Sequence, residues 1–218
     1  MKCAHCLRGA AQKKDQTKEN IDTLFSQVSY ISDITFTGGE PSLVPEILEY
    51  ALESAKRYHV GVGSFYIATN GKNITEDFVI ACLRWYAYCD NNEGTGVHLS
   101  QDDFHDAEGQ DNYELLKGLS FFNYRRRTDS HYVIPEGRAK GWEWTCGEKV
   151  RKEIFEIEEE VEGFSVLDGA VYLNCKGELI GGCDWSYRNQ TKNKICDVDS
   201  ITLEAFEDFG ADIEYLNA

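Results

Sequence analysis

The sequence predicts an α/β protein made of βαβ units around a parallel sheet. Three observations carry this. Strand-like apolar runs alternate with helix-type apolar stripes, at roughly thirty residues per unit. Glycines and polar residues gather where the strand-like runs end. The last third loses the alternation and reads as short strands separated by turns. Residues 1–147 are expected to form the main body and residues 148–218 a small C-terminal extension.

The first helix is expected around Ile21, Leu24, Phe25 and Val28, which fall at i, i+3, i+4 and i+7, with Thr17 as its cap. Ile34–Phe36 follows as a buried strand. A second stripe runs through Val44, Ile47, Leu48, Ala51, Leu52 and Ala55, and Ser64–Ile67 is the next strand. The third helix carries Phe78, Ala81, Cys82, Trp85, Tyr86 and Cys89 on one face, ahead of a strand at Val97–Leu99. A shorter helix is expected over Leu115, Leu116, Leu119 and Phe122, then a strand at His131–Ile134. Beyond these, an acidic helix is expected over Glu148–Glu162, strands with turns at Gly169 and Gly177 over Val166–Cys183, and a last helix over Leu203–Phe209.

With 218 residues and 42% hydrophobic content, the chain can bury a sizeable core. No run approaches the ~20 apolar residues of a membrane span and no leader is seen, so a cytoplasmic protein with no membrane partner is expected. The formal net charge of −16 repels a phosphate backbone at long range and disfavours a nucleic-acid partner. Arg125, Arg126 and Arg127, followed by Arg138 and Lys140, form a local exception, and the triple arginine reads as a solvated turn. Eight cysteines without a secretory signal point to metal ligation or plain burial rather than disulfides.

Two motifs bear on chemistry. Cys3-Ala4-His5-Cys6 places two thiols two residues apart, a spacing shared by zinc ribbons, redox pairs and iron–sulfur sites. Thr35-Phe36-Thr37-Gly38-Gly39-Glu40-Pro41 is a strand ending in two glycines, an acid and a proline. Glycines there let a ligand approach the backbone, and the C-terminal strand ends are where parallel α/β folds bind ligands.

Together, in this order, the two motifs resemble the radical S-adenosylmethionine (SAM) superfamily. In that family a Cys-x3-Cys-x2-Cys loop after the first strand holds a four-iron four-sulfur cluster, and a Gly-Gly-Glu motif ends the second strand and holds the methionyl amino group of SAM. The resemblance makes Cys3 and Cys6 the second and third cluster ligands, and Gly38, Gly39 and Glu40 the amino-group motif. His5 stands where the family usually has an aromatic residue near the adenine. The first cysteine of the pattern would lie two positions before Met1, so the chain is expected to lack that ligand and the first strand. The implied fold is a partial (β/α)6 TIM-like barrel whose open side the C-terminal extension is expected to complete.

Later strand ends extend the resemblance through about residue 140. Asn70 closes the third family strand. Ser100 and Asp102 close the fourth, where the family commonly has a group near the SAM ribose and carboxylate. Arg138, in Glu136-Gly137-Arg138, is placed to present a cation to SAM or substrate. His105 is a loop histidine beside that edge, His98 and His131 are not spaced as a metal triad, and His59 is expected at the surface. Cys82 and Cys89 are expected in the core; Cys146, Cys175, Cys183 and Cys196 are candidates for an auxiliary iron–sulfur cluster or zinc.

The implied activity is reductive cleavage of SAM, fed by a flavodoxin or ferredoxin, with hydrogen abstraction by a deoxyadenosyl radical from a peptide or small-molecule substrate. Two other readings stay open: a zinc-binding α/β module and a non-catalytic interaction protein on the same fold.

Overall fold

The computed structural model describes residues 3–102, 111–127, 133–142, 150, 152–161 and 164–214. The chain forms two compact units, residues 1–4 with 17–132, and residues 5–16 with 133–218. Residues 5–16 thus belong to the second unit.

The first unit is a parallel sheet with helices. Its elements are α1 (Lys18–Phe25), β1 (Tyr30–Phe36), α2 (Pro45–Arg57), β2 (Gly61–Thr69), α3 (Glu76–Tyr88), β3 (Gly96–Asp102) and β4 (Phe122–Arg127). The helices begin where their sequence dictates. Thr17 Oγ1 accepts from the Asn20 amide at 3.1 Å and Thr75 Oγ1 from Phe78 at 3.2 Å, each pairing an amide the helix leaves open. Pro45 opens α2, where its missing N–H costs nothing, and Lys56 and Arg57 occupy the last turn.

The strands lie in the order β1-β2-β3-β4, every neighbouring pair parallel. One face carries the core. Leu48, Leu52 and Ala55 of α2 and Phe78, Ala81, Cys82 and Trp85 of α3 bury against Phe65, Ile67 and Val97. Trp85 stands 5.1 Å from the Phe36 ring and donates its indole N–H to the Leu48 carbonyl at 3.0 Å. Alternation along the strands turns Ser64, Tyr66, Ala68, His98 and Ser100 to the opposite face, where Ser64 donates to Asp33.

Several elements differ from the sequence reading. Asp111–Gly118 is a 3-10 helix, not an α-helix, and Phe122 opens a strand. Arg125, Arg126 and Arg127 are not a solvated turn: they belong to β4, paired with Ser100, Gln101 and Asp102 of β3. Ladder hydrogen bonds to β3 decide this, and the arginine run alone does not announce them. Of the strand expected at His131–Ile134, His131 lies outside the described residues, Val133 makes a single bridge and Ile134 is irregular.

The second unit contains β5 (Glu156–Val161), β6 (Phe164–Asp168), β7 (Val171–Leu173), β8 (Glu178–Gly181), α4 (Tyr187–Gln190), β9 (Lys194–Asp197) and α5 (Leu203–Glu214). β5 and β6 form an antiparallel hairpin, so the acidic stretch expected to be helical is a strand from Glu156 onward. Glu156 is exposed and Ile157 half-buried, and the register shifts between Glu158 and Val161. β7-β8-β9 is a second antiparallel sheet. Asn174 Oδ1 accepts from the Lys176 and Glu178 amides, and Gly177 takes φ +81° to close that turn. Phe155 packs edge-on against Phe206 at 5.2 Å and lies 5.9 Å from Phe209, which fixes α5. Among the described residues no helix is long and apolar enough to cross a membrane.

Candidate functional site

The C-terminal edge of the parallel sheet collects most of the residues singled out from sequence. Gly38, at φ +113°, turns the chain after β1 in a conformation side chains resist. A Cβ on Gly39 would meet no atom within 4 Å, so this stretch of backbone faces open space. Glu40 follows, buried at 7% exposure. Its Oε1 accepts from Ser42 Oγ at 2.9 Å and Thr69 Oγ1 at 2.5 Å, and more distantly from the Ser42 amide at 3.4 Å. Its Oε2 accepts from the Asn70 amide at 2.9 Å.

This carboxylate is a latch between two strand ends. Thr69 also accepts from Gly71 at 3.1 Å, and Asn70 Oδ1 accepts from Lys72 at 2.9 Å, so the loop after β2 is fixed around Glu40. A carboxylate oxygen has about two acceptor directions. Among the described residues, Oε1 is fully engaged, whereas Oε2 makes one bond and keeps a direction open for an incoming donor.

Register aligns further residues with this edge. Thr69 pairs with Leu99 and Leu99 with Tyr124, which sets Asn70 level with Ser100, and Ser100 with Arg125. Ser100 and Arg125 are half-buried. The Asp102 backbone ends β3, level with Arg127; its side chain lies outside the described set. On the same face the Tyr66 and His98 rings stand 4.6 Å apart. Burial, and then the Arg125 charge, push the His98 imidazole below its ordinary pKa. The sequence reading missed Arg125 as a site residue. The alternation Phe122-Asn123-Tyr124-Arg125 was the available signal, overshadowed by the arginine run.

The cysteine loop is built separately. Cys3 and Cys6 are half-buried and outside any disulfide, Cys3 in the first unit and Cys6, with the half-buried His5, in the second. The Cys6 carbonyl accepts from the Gly9 amide at 3.1 Å and from the Arg138 amide at 3.0 Å. Gly137, at φ +59°, is obligatory here: a Cβ would strike the carbonyl oxygens of Cys6 and Leu7. The Glu136-Gly137-Arg138 turn therefore supports the cysteine loop through its backbone. Glu136 is itself buried and accepts from the Ser186 amide at 3.2 Å and from Asn189 at 2.8 Å.

Arg8 is a second residue the sequence reading left out. It is 5% exposed, donates to the Trp185 carbonyl at 2.8 Å, and lies 4.2 Å from the Tyr172 ring centre. These contacts anchor the loop two residues beyond Cys6.

The remaining cysteines divide as their sequence context suggested for two of them. Cys82 is wholly buried in α3, its thiol pushed up to about 12 by burial, and Cys89 is raised to about 11 by burial and then Asp90. Cys175 sits in the β7–β8 turn with its sulfur 3.5 Å from Gln12 Oε1, Cys183 is exposed, and Cys196 lies in β9 opposite Leu179. Cys146 and His105 fall outside the described residues. Among the described residues, no three His, Cys, Asp or Glu side chains converge as a metal site.

The chain matches no family model, and no curated protein matches it.

Proposed function

We propose that this chain is the core of a radical SAM enzyme. The observation that carries the reading is Gly38-Gly39-Glu40 at the C-terminal end of β1. Gly39 opens to space there, and the Glu40 carboxylate is held by Thr69 and Asn70 with one acceptor direction left over. An ammonium group such as that of SAM fits this combination: a fixed acid to receive it and bare backbone to let it approach.

Two further features support the reading. The strand order runs consecutively, with core helices on one sheet face and a polar second face. A doubly wound sheet reverses its strand order, whereas a (β/α) barrel keeps it consecutive. The Cys6 loop is also held rigidly, by Gly137 and Arg138 and by buried Arg8.

By the resemblance, Cys3 and Cys6 would be two of the three cluster ligands, Glu40 with Gly38 and Gly39 would receive the amino group of SAM, and His5, Asn70 and Ser100 would flank the nucleoside. When bound, such a cluster supplies one-electron reductive cleavage of the SAM carbon–sulfur bond, which ends in hydrogen abstraction from a substrate. The chain's part is to orient the ammonium through Glu40, to hold the cysteine loop still through Gly137 and Arg8, and to present Tyr66, His98 and Ser100 on one sheet face. By the resemblance, Arg138 would offer its guanidinium to a carboxylate of SAM or substrate.

The test reconstitutes the protein anaerobically with iron and sulfide, with and without an N-terminal extension that places a cysteine two positions before Met1. Iron, sulfide and zinc are then measured. Four irons and four sulfides per extended chain, lost in Cys6→Ala, support the reading. Zinc bound without iron or sulfide would favour a zinc-binding module and overturn it.

A further inference from the structure

Arg125 is a half-buried cation at the end of β4, and among the described residues it makes no ion pair or hydrogen bond. The chain is strongly acidic, with 38 acids against 22 bases, so a sheltered arginine without a carboxylate is unexpected. By contrast, exposed Arg57 and Arg84 of the same unit both hold acids, Asp22 for the first and Glu49 and Glu53 for the second. Burial of an unpaired charge is costly, and a site that keeps one is prepared for an anion.

The surroundings say which anion. Arg125 pairs in register with Ser100, two residues beyond the His98–Asn123 pair, and Tyr66 stacks on His98. Among the described side chains the group is one cation, a hydroxyl, an amide and two rings on one sheet face, level with the Gly39 and Asn70 edge. His98 is biased toward its neutral form, so it adds no second charge. One planar guanidinium with neutral hydrogen-bonding neighbours suits a singly charged carboxylate, gripped at two points; a phosphate dianion calls for more cations.

We infer that Arg125, with His98, forms a subsite for a carboxylate carried by the substrate. This rests on reading the sheet edge as the reaction site and adds the substrate's chemical class: a small acid or a peptide presenting a free carboxylate. The acidic exterior repels such a group at long range, which leaves Arg125 to provide the local attraction.

The test needs neither cluster nor SAM, so its outcome is independent of whether the chain does radical chemistry. Carbon-13-labelled histidine reports on His98 by NMR. The apparent pKa of His98 is followed with rising acetate at constant ionic strength, in wild type, Arg125→Gln and Arg125→Lys. The expected result is a saturable rise in wild type, retained but weaker in Arg125→Lys and absent in Arg125→Gln. An unmoved His98 in wild type, or an equal rise in Arg125→Gln, would overturn the inference. S-adenosylhomocysteine alone reproducing the Arg125-dependent rise would assign the position to the cofactor's carboxylate and overturn it as well.

Discussion

Glu40 shows how one side chain holds two duties. Its carboxylate takes hydrogen bonds from Ser42, Thr69 and the Asn70 amide, so it closes the ends of β1 and β2 before any ligand arrives. In Glu40→Gln an acceptor becomes an amide NH2 facing these donors, which leaves at least one of them unpaired in a buried place. The expected cost is roughly 1–3 kcal/mol of stability, read by urea unfolding. Gly39 separates the duties. Since a Cβ there meets nothing within 4 Å, Gly39→Val is expected to unfold like wild type yet to bind SAM at least tenfold more weakly in the cluster-loaded protein, measured by calorimetry. Equal affinity would remove Gly39 from the site.

Cys82 gives a prediction from burial alone. Its thiol is raised from 9.0 to about 12, so the folded chain keeps the proton where the unfolded chain loses it. Stability is therefore fully held below pH 9 and falls as pH rises toward 12, by about 1.4 kcal/mol per pH unit for this one group. Cys82→Ala should flatten that decline while costing roughly 1 kcal/mol at neutral pH. Denaturant midpoints between pH 7 and pH 11 check both effects.

At the scale of elements, stability depends on short local devices and on one glycine. Thr75→Ala removes the cap of α3 and should cost about 1 kcal/mol. Gly137→Ala is more damaging, because the new Cβ meets the Cys6 and Leu7 carbonyls and the residue must keep φ +59°. The cysteine loop has to move, so Cys6 should react faster with a thiol reagent than in wild type; an unchanged rate would contradict the support assigned to this turn.

The same scale explains what the sequence could and could not disclose. The stripes of α1, α2 and α3, the Thr17 cap, and Cys82 and Cys89 in the core were all legible, because apolar spacing and caps are local signals. Gly38-Gly39-Glu40 was legible as a strand end, but its partners Thr69 and Asn70 lie about thirty residues away and only the parallel register joins them. β4 was missed because three arginines read as solvated, though their pairing with β3 makes them a strand. The acidic stretch read as helix because its three consecutive glutamates carry no strand alternation, and only its pairing with β6 makes it a strand. Arg8 lay one turn past the cysteines with no pattern to mark it, and only its contacts with Trp185 and Tyr172 reveal its role.

For the molecule as a whole, the central claim is that a consecutive parallel sheet, open at its C-terminal edge, serves SAM chemistry in a strongly acidic chain. Radical chemistry requires water to be kept from the reacting groups, and the half-buried Tyr66, His98 and Ser100 on the sheet face away from the core helices are suited to that. The most direct measurement is deoxyadenosine formation from SAM by dithionite-reduced, anaerobically reconstituted protein, extended upstream to supply a third cysteine. The account predicts deoxyadenosine from the extended protein and none from its Cys6→Ala variant. A fully loaded four-iron cluster that yields no deoxyadenosine would contradict it.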